Sequence, residues 1–287
     1  MLTPASRDAV AGAAAGAATC VLFQPLEVVK TRLQVVDGPR LGALRLLADV
    51  ARSEGVRGLY AGLSPNLVGG TLSWGLYFSL YSLAKDVVGG ETTPQRLAAA
   101  GAAGVAAAAA TNPLWVAKTR LTLQRNVPGA TGVAPYRGLA DCLLRTGREE
   151  GMRGLYAGIG PSLALVSHNA IQMAAYEHLR GSEAFRTACG GGAGAPGDAP
   201  TAAAGAASKL LASCVTYPMQ VYRTRLQQRG SGGGGGSGRR DALVAAARAR
   251  GPSVLYAGFG PHLARMLPNS ACTFVVFERV RGWLLPS

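Results

Sequence analysis

Lys209 and Arg265 stand inside stretches that are otherwise uncharged, Thr201 to Tyr222 and Gly260 to Phe277. A cation in apolar surroundings is costly and usually faces a bundle interior or a water-filled cavity. The chemistry open to these two residues is therefore electrostatic: they can hold an anion. Nothing beside them suggests covalent work. The five cysteines form no CxxC and, with His168, His178 and His262, no ligand spacing, so neither a metal nor a redox site is legible. Ser167 and His168 lack a nucleophile elbow or an oxyanion motif, so no catalytic residues are assigned, and no cofactor is implied. Of 29 basic residues only four are lysines: Lys30, Lys85, Lys118 and Lys209.

The elements that must position these cations follow from composition. A net charge of +14 rests on 15% charged residues, against 48% hydrophobic ones and 40 glycines. A soluble nucleic-acid binder would need about a quarter to a third of its surface charged. That class is excluded, and an all-α membrane protein is expected. Four uncharged runs approach or exceed the roughly 20 residues of a spanning helix: Ala9 to Leu26, Gly58 to Ala84, Leu97 to Ala117 and Gly154 to Tyr176. The two interrupted stretches bring the expected spans to six. Arg7-Asp8 before the first run is not the basic cluster of a cleaved signal.

Self-comparison organises the chain further. Leu-Tyr-Ala-Gly recurs at Leu59 to Gly62, Leu155 to Gly158 and Leu255 to Gly258, each followed by a proline three residues on: Pro65, Pro161 and Pro261. Upstream of each copy lies a second string, Pro25 to Arg32, Pro113 to Arg120 and Pro218 to Arg225. Three tandem repeats result, 1–90, 91–183 and 184–287. Each should hold two spans and, between them, a short amphipathic surface helix near Arg40 to Ser53, Arg137 to Glu150 or Arg239 to Arg250. The Gly-rich runs Gly190 to Pro200 and Gly230 to Gly238 lack the Lys-Ser/Thr of a phosphate loop and read as connections.

PLEVVKTR, PLWVAKTR and PMQVYRTR, together with EGVRGLYAG and EGMRGLYAG, resemble the threefold signature of the mitochondrial carrier family across nearly the whole chain. The third copy departs from it, with Arg250 before Gly251 in place of the acid. Residues two and five places after each proline share a helix face to within about 60°. The resemblance implies that they form an ion-pair ring closing a cavity on the matrix side. Here the acid positions are Glu27, Trp115 and Gln220 and the basic ones Lys30, Lys118 and Arg223. Glu27 with Lys118 is the one full pair expected. Gln220 can hydrogen-bond Lys30, and Trp115 can offer Arg223 its ring face or else serve as an interface anchor. A second, cytoplasmic-side ring is implied at Lys85, Glu177, Arg180, Glu278 and Arg281, broken by Ser82.

Between the rings, Lys209 lies three turns before Gln220 and faces the same way to within about 20°; its symmetry mates are Gly16 and Gly104. The same spacing puts Trp74, Asn169 and Ser270 in line with Lys85, Arg180 and Arg281. The wheel leaves Arg265 ambiguous because Pro268 bends its helix, and it is assigned to the cavity by resemblance, against a snorkelling alternative. The expected substrate-binding set is Trp74, Trp115, Asn169, Lys209 and Arg265. Trp115 resembles the branch that carries folates, FAD, NAD and pyrimidine nucleotides, and the strings Leu72 to Phe78, Ser167 to Gln172 and Thr273 to Glu278 are similar to its folate and FAD members. The expected protein is thus a monomeric organellar transporter of folate or FAD working by alternating access. The alternatives are a pyrimidine nucleotide or NAD carrier and, from another class, a non-transporting membrane scaffold. Expected partners are a small anionic substrate and membrane lipid, with cardiolipin phosphates at helix amino ends after the Tyr-Ala-Gly turns. The resemblance implies the mitochondrial inner membrane or a plastid envelope.

Overall fold

The structure is a computed structural model describing residues 4–35, 42–88, 92–124, 135–188, 198–228, 244–245, 247–248 and 251–284. It is all-α. The first repeat comprises α1 (Pro4–Val35), α2 (Ala43–Leu59), kinked at Gly55, and α3 (Leu63–Val88). The second comprises α4 (Thr93–Leu123), α5 (Leu139–Glu149), α6 (Gly151–Leu155), α7 (Ile159–Ala164) and α8 (His168–Gly181), then the short α9 (Glu183–Ala188). The third comprises α10 (Asp198–Gln227), a single-turn segment Pro252–Tyr256, and α11 (Phe259–Leu284). Most of the expected third surface helix, Arg250 included, lies outside the described residues, as do 190–197 and 230–238 of the Gly-rich runs.

Proline sits inside α1, α4 and α10 without ending them. Each loses one ladder bond and bends there, which neighbouring chain can repair. In the third repeat the carbonyl freed by Pro218, that of Cys214, accepts from the Tyr256 hydroxyl at 3.2 Å, and in all three the residue preceding the proline bonds to the neighbouring turn segment. Gln24 Nε2 donates to Ala61 O at 2.9 Å, Asn112 Nδ2 to Leu155 O at 3.0 Å, and the Tyr217 hydroxyl to Ala257 O at 3.0 Å. Each kink is thereby tied to the Tyr-Ala-Gly turn of its own repeat.

The glycine of that turn is required twice over. Gly62, Gly158 and Gly258 have φ of 76°, 74° and 79°, the left-handed region. A Cβ on Gly258 would also stand 2.8 Å from the Lys30 carbonyl, and one on Gly62 or Gly158 would stand 3.1 Å or 3.3 Å from that of Lys118 or Arg223. The turn of each repeat therefore presses on the kinked helix of the next, and the third presses on the first.

The main seams follow the same cyclic order: α3 packs along α4, α8 along α10, and α11 along α1. The helices close into a bundle. The surface helices dock underneath, with Leu46 and Val50 of α2 buried against Val29, and Cys142 of α5 against Ala117 and Leu121.

Two expectations change. The uncharged runs from Gly58 and Gly154 are not continuous spans, because their first residues form the turn; the second is further divided by a 3-10 turn at Leu165–Ser167. Among the described residues, two helical stretches, Ala11–Val35 and Gln95–Leu123, are long and apolar enough on their own to cross a membrane. The others are interrupted, rich in Ser and Gly, or carry Lys209 or Arg265. The long helices of all three repeats nonetheless expose large apolar side chains, among them Leu22, Leu72, Leu83, Val105, Val215 and Val275, more than a water-facing surface normally tolerates.

Candidate functional site

The ends of α1, α4 and α10 that follow the prolines converge. What joins them is a set of arginines that self-comparison displayed but did not assign. Arg32 Nε donates to Thr122 O at 3.3 Å, Arg120 Nε to Gln227 O at 3.2 Å, and Arg225 Nε to Gln34 O at 2.9 Å. Each arginine thus reaches the carbonyl of the next repeat's kinked helix in a closed cycle. Arg32 and Arg120 are also held bidentately by Glu54 and Glu150 of the surface segments, the strongest geometry for such a pair. Glutamines complete the tie: Gln34 accepts from Thr224 at 2.8 Å and donates to the Tyr217 hydroxyl at 3.2 Å, while Gln227 accepts from Thr119 at 2.9 Å.

On this tied base lies a floor of charges. Lys118 Nζ donates to Glu27 Oε1 at 2.9 Å. Lys30 Nζ donates to Gln220 Oε1 at 3.4 Å. The Arg223 guanidinium lies 5.8 Å from the Trp115 ring centroid, and Lys118 lies 5.1 Å from it on the same ring. The Glu27–Lys118, Lys30–Gln220 and Trp115–Arg223 contacts each join different repeats. Arg265 joins them from α11, its Nε 3.5 Å from Glu27 Oε2, which places it inside the bundle rather than snorkelling outward. Glu27 is therefore shared by two cations.

A cavity of about 280 Å³ is lined by Glu27, Lys30, Trp115, Lys118, Gln220 and Arg223 of the floor, by Gln34 and Gln227 of the base, and by His168 and Asn169 of α8 on one wall. His168 Nδ1 is 2.9 Å from Thr216 Oγ1, a contact that no motif or spacing had pointed to. Trp74, Lys209 and Arg265 are not among the lining residues. Lys209 is half-buried on α10. Trp74 is exposed on α3, stacked on Phe78 at 5.8 Å and edge-on to Tyr77 at 6.1 Å.

Three segments of the chain, residues 3–92, 89–182 and 198–287, match the mitochondrial carrier protein family. The chain belongs to this family. A member of it is a solute transporter and not an enzyme. This carrier is 40% identical to folate transporter 1, chloroplastic, of Arabidopsis thaliana, over 95% of this chain and 94% of that protein. It is 39% identical to nicotinamide adenine dinucleotide transporter 2, mitochondrial, of the same plant, over 94% and 77%. To mitochondrial nicotinamide adenine dinucleotide transporter 1 of Saccharomyces cerevisiae it is 37% identical, over 96% and 76%. The relatives are thus divided by substrate and by organelle.

At the opposite end the described side chains of the second ring face open space. Lys85, Glu177, Arg180 and Glu278 are all exposed, and among the described residues no ion pair joins them. Arg281 and Ser270 lie on α11 with their side chains outside the described residues. The described inter-repeat side-chain contacts are therefore concentrated at the proline end.

Proposed function

We propose that all six long helical units of this carrier span the membrane and that it moves an anionic, flat-ringed coenzyme of the NAD class by alternating access. The observation that carries this reading is the electrostatics of the cavity. Its floor sets Lys30, Lys118, Arg223 and Arg265 against the single carboxylate of Glu27. A cavity with that surplus attracts ligands bearing several negative charges. NAD fits through its diphosphate and paired ring systems. Trp115, Asn169 and the Trp74 cluster offer ring faces and amide groups for such a ligand, and Lys209 and Arg265 offer cations for its phosphates.

In this reading Glu27, Lys30, Lys118, Gln220 and Arg223 form the matrix-side gate, shut in the present state. Lys85, Glu177, Arg180, Glu278 and Arg281 form the cytoplasmic-side gate, of which the first four are exposed. Substrate enters from the cytoplasmic side, the floor contacts separate as the opposite ring closes, and the repeats rock about the site. With one full ion pair in the floor ring, the barrier to opening is low.

Folate is the second reading, favoured by the 40% identity to a folate transporter over nearly the full length of both chains. Its fused ring and carboxylates meet the same groups, and FAD meets them as well. A non-transporting scaffold is disfavoured, since it has no use for cations around an internal cavity. The membrane is an organellar envelope, the mitochondrial inner membrane or its plastid counterpart. The working unit is a monomer, with cardiolipin phosphates at the helix starts after Gly62, Gly158 and Gly258.

Lys209→Ala in proteoliposomes tests the reading. Loss of most uptake of labelled NAD or folate is expected. Uptake at the wild-type rate would remove the anion-binding assignment.

A further inference from the structure

The floor has more positive charge than its own side chains neutralise, and its excess is concentrated on one side. Lys118 and Arg265 share Glu27. Lys30, only 9% exposed, has an amide oxygen at 3.4 Å as its hydrogen-bond partner. Arg223 faces an aromatic ring, and its Nε is buried without a hydrogen-bond acceptor. One turn further along α10, Gln227 is 2% exposed, and its Nε2 is likewise buried and unaccepted. Lys30, Arg223 and Gln227 line the same cavity. Buried cations and free donors of this kind are costly unless an acceptor is supplied.

We propose that this floor is a binding site for an oxyanion held by Lys30, Arg223 and Gln227. The anion takes the place of the two carboxylates that Trp115 and Gln220 leave out of the ring. A tetrahedral or planar oxyanion suits the donors, since it accepts from an ammonium, a guanidinium N–H and an amide at once. When it is bound, the closed floor is neutralised, and its departure weakens the floor before opening. The occupant is either a free inorganic ion or the phosphate or carboxylate of the transported substrate itself.

The site can be read without transport, so its test is separate from that of the substrate. The thermal midpoint of the purified full chain is measured in sodium chloride at constant ionic strength and then with inorganic phosphate replacing it. The account predicts a rise of about 2–5 °C at saturating phosphate. Trp115→Asp supplies the missing carboxylate from the chain and should abolish the rise. Gln227→Leu removes a donor at a second position and should reduce it if Trp115→Asp fails to fold. Arg52→Ala, which removes an exposed cation of α2 that does not line the cavity, should keep it. No rise in the wild type, an equal rise in the Trp115 and Gln227 variants, or loss of the rise in Arg52→Ala would overturn the proposal. Phosphate that raises the half-saturation for NAD or folate uptake identifies the substrate's own anion as the occupant. An unchanged half-saturation, with the thermal rise present, identifies a resident inorganic ion.

Discussion

Glu27 is the one acid of the floor, and it serves two cations, so its removal should cost more than removal of either partner. The contacts are 2.9 Å to Lys118 and 3.5 Å to Arg265, and the Glu27 side chain is 11% exposed. At an effective dielectric of about 20 these separations correspond to roughly 6 and 5 kcal/mol of attraction before desolvation is counted. Desolvation offsets much of this, and removing one partner of a buried pair costs about 3–5 kcal/mol net. Glu27→Gln leaves Lys118 and Arg265 facing each other without a counterion, so the upper part of that range applies. Lys118→Gln leaves Glu27 with Arg265, so the lower part applies. At about 2–4 °C per kcal/mol for a chain approaching this size, Glu27→Gln should lower the thermal midpoint of the purified carrier by about 8–20 °C. Lys118→Gln should lower it by several degrees less. The double variant should lose less than the sum of the two single losses, by the equivalent of about 1–3 kcal/mol. Equal losses that add without coupling would refute the reasoning that one carboxylate anchors both cations.

The turn glycines give a paired comparison. Gly258→Ala meets both a left-handed φ and the Lys30 carbonyl at 2.8 Å, whereas Gly55→Ala has φ 66° and nothing within 4 Å. The second should cost only the backbone term of about 1–2 kcal/mol and the first clearly more; equal shifts in thermal midpoint would show that the close approach carries no weight. Ser82→Asp restores an acid in the proposed cytoplasmic-side ring and should alter the transport rate by strengthening that ring, and an unchanged rate would count against gating there.

The repeat architecture was legible because the same short strings return at near-constant spacing and do the same mechanical work each time. The Leu-Tyr-Ala-Gly turn is the clearest case: a left-handed φ pressed against a neighbouring carbonyl admits one residue type, so glycine marks all three copies. The ties to the kinks were not legible. Gln24, Asn112 and Tyr217 play one part with three different side chains, so comparing repeats conceals their equivalence. Arg32, Arg120 and Arg225 were visible as repeated letters, but their partners are backbone carbonyls of the next repeat, which no side-chain pattern reveals. Arg265 could not be oriented on a wheel because Pro268 lies within its helix and makes the ideal angle unsafe. The division of the second repeat's even helix at Leu165–Ser167 left no mark in hydropathy. The preference among anionic ring compounds is equally hidden, since folates and dinucleotides require the same few groups in the wall.

The most direct measurement is uptake by the purified carrier in liposomes, offered labelled NAD, folate and an uncharged solute of similar size in parallel. The account predicts saturable uptake of the anionic ring compounds, with NAD preferred, and none of the uncharged solute. Uptake of neither anion, or equal passage of the uncharged solute, would contradict it.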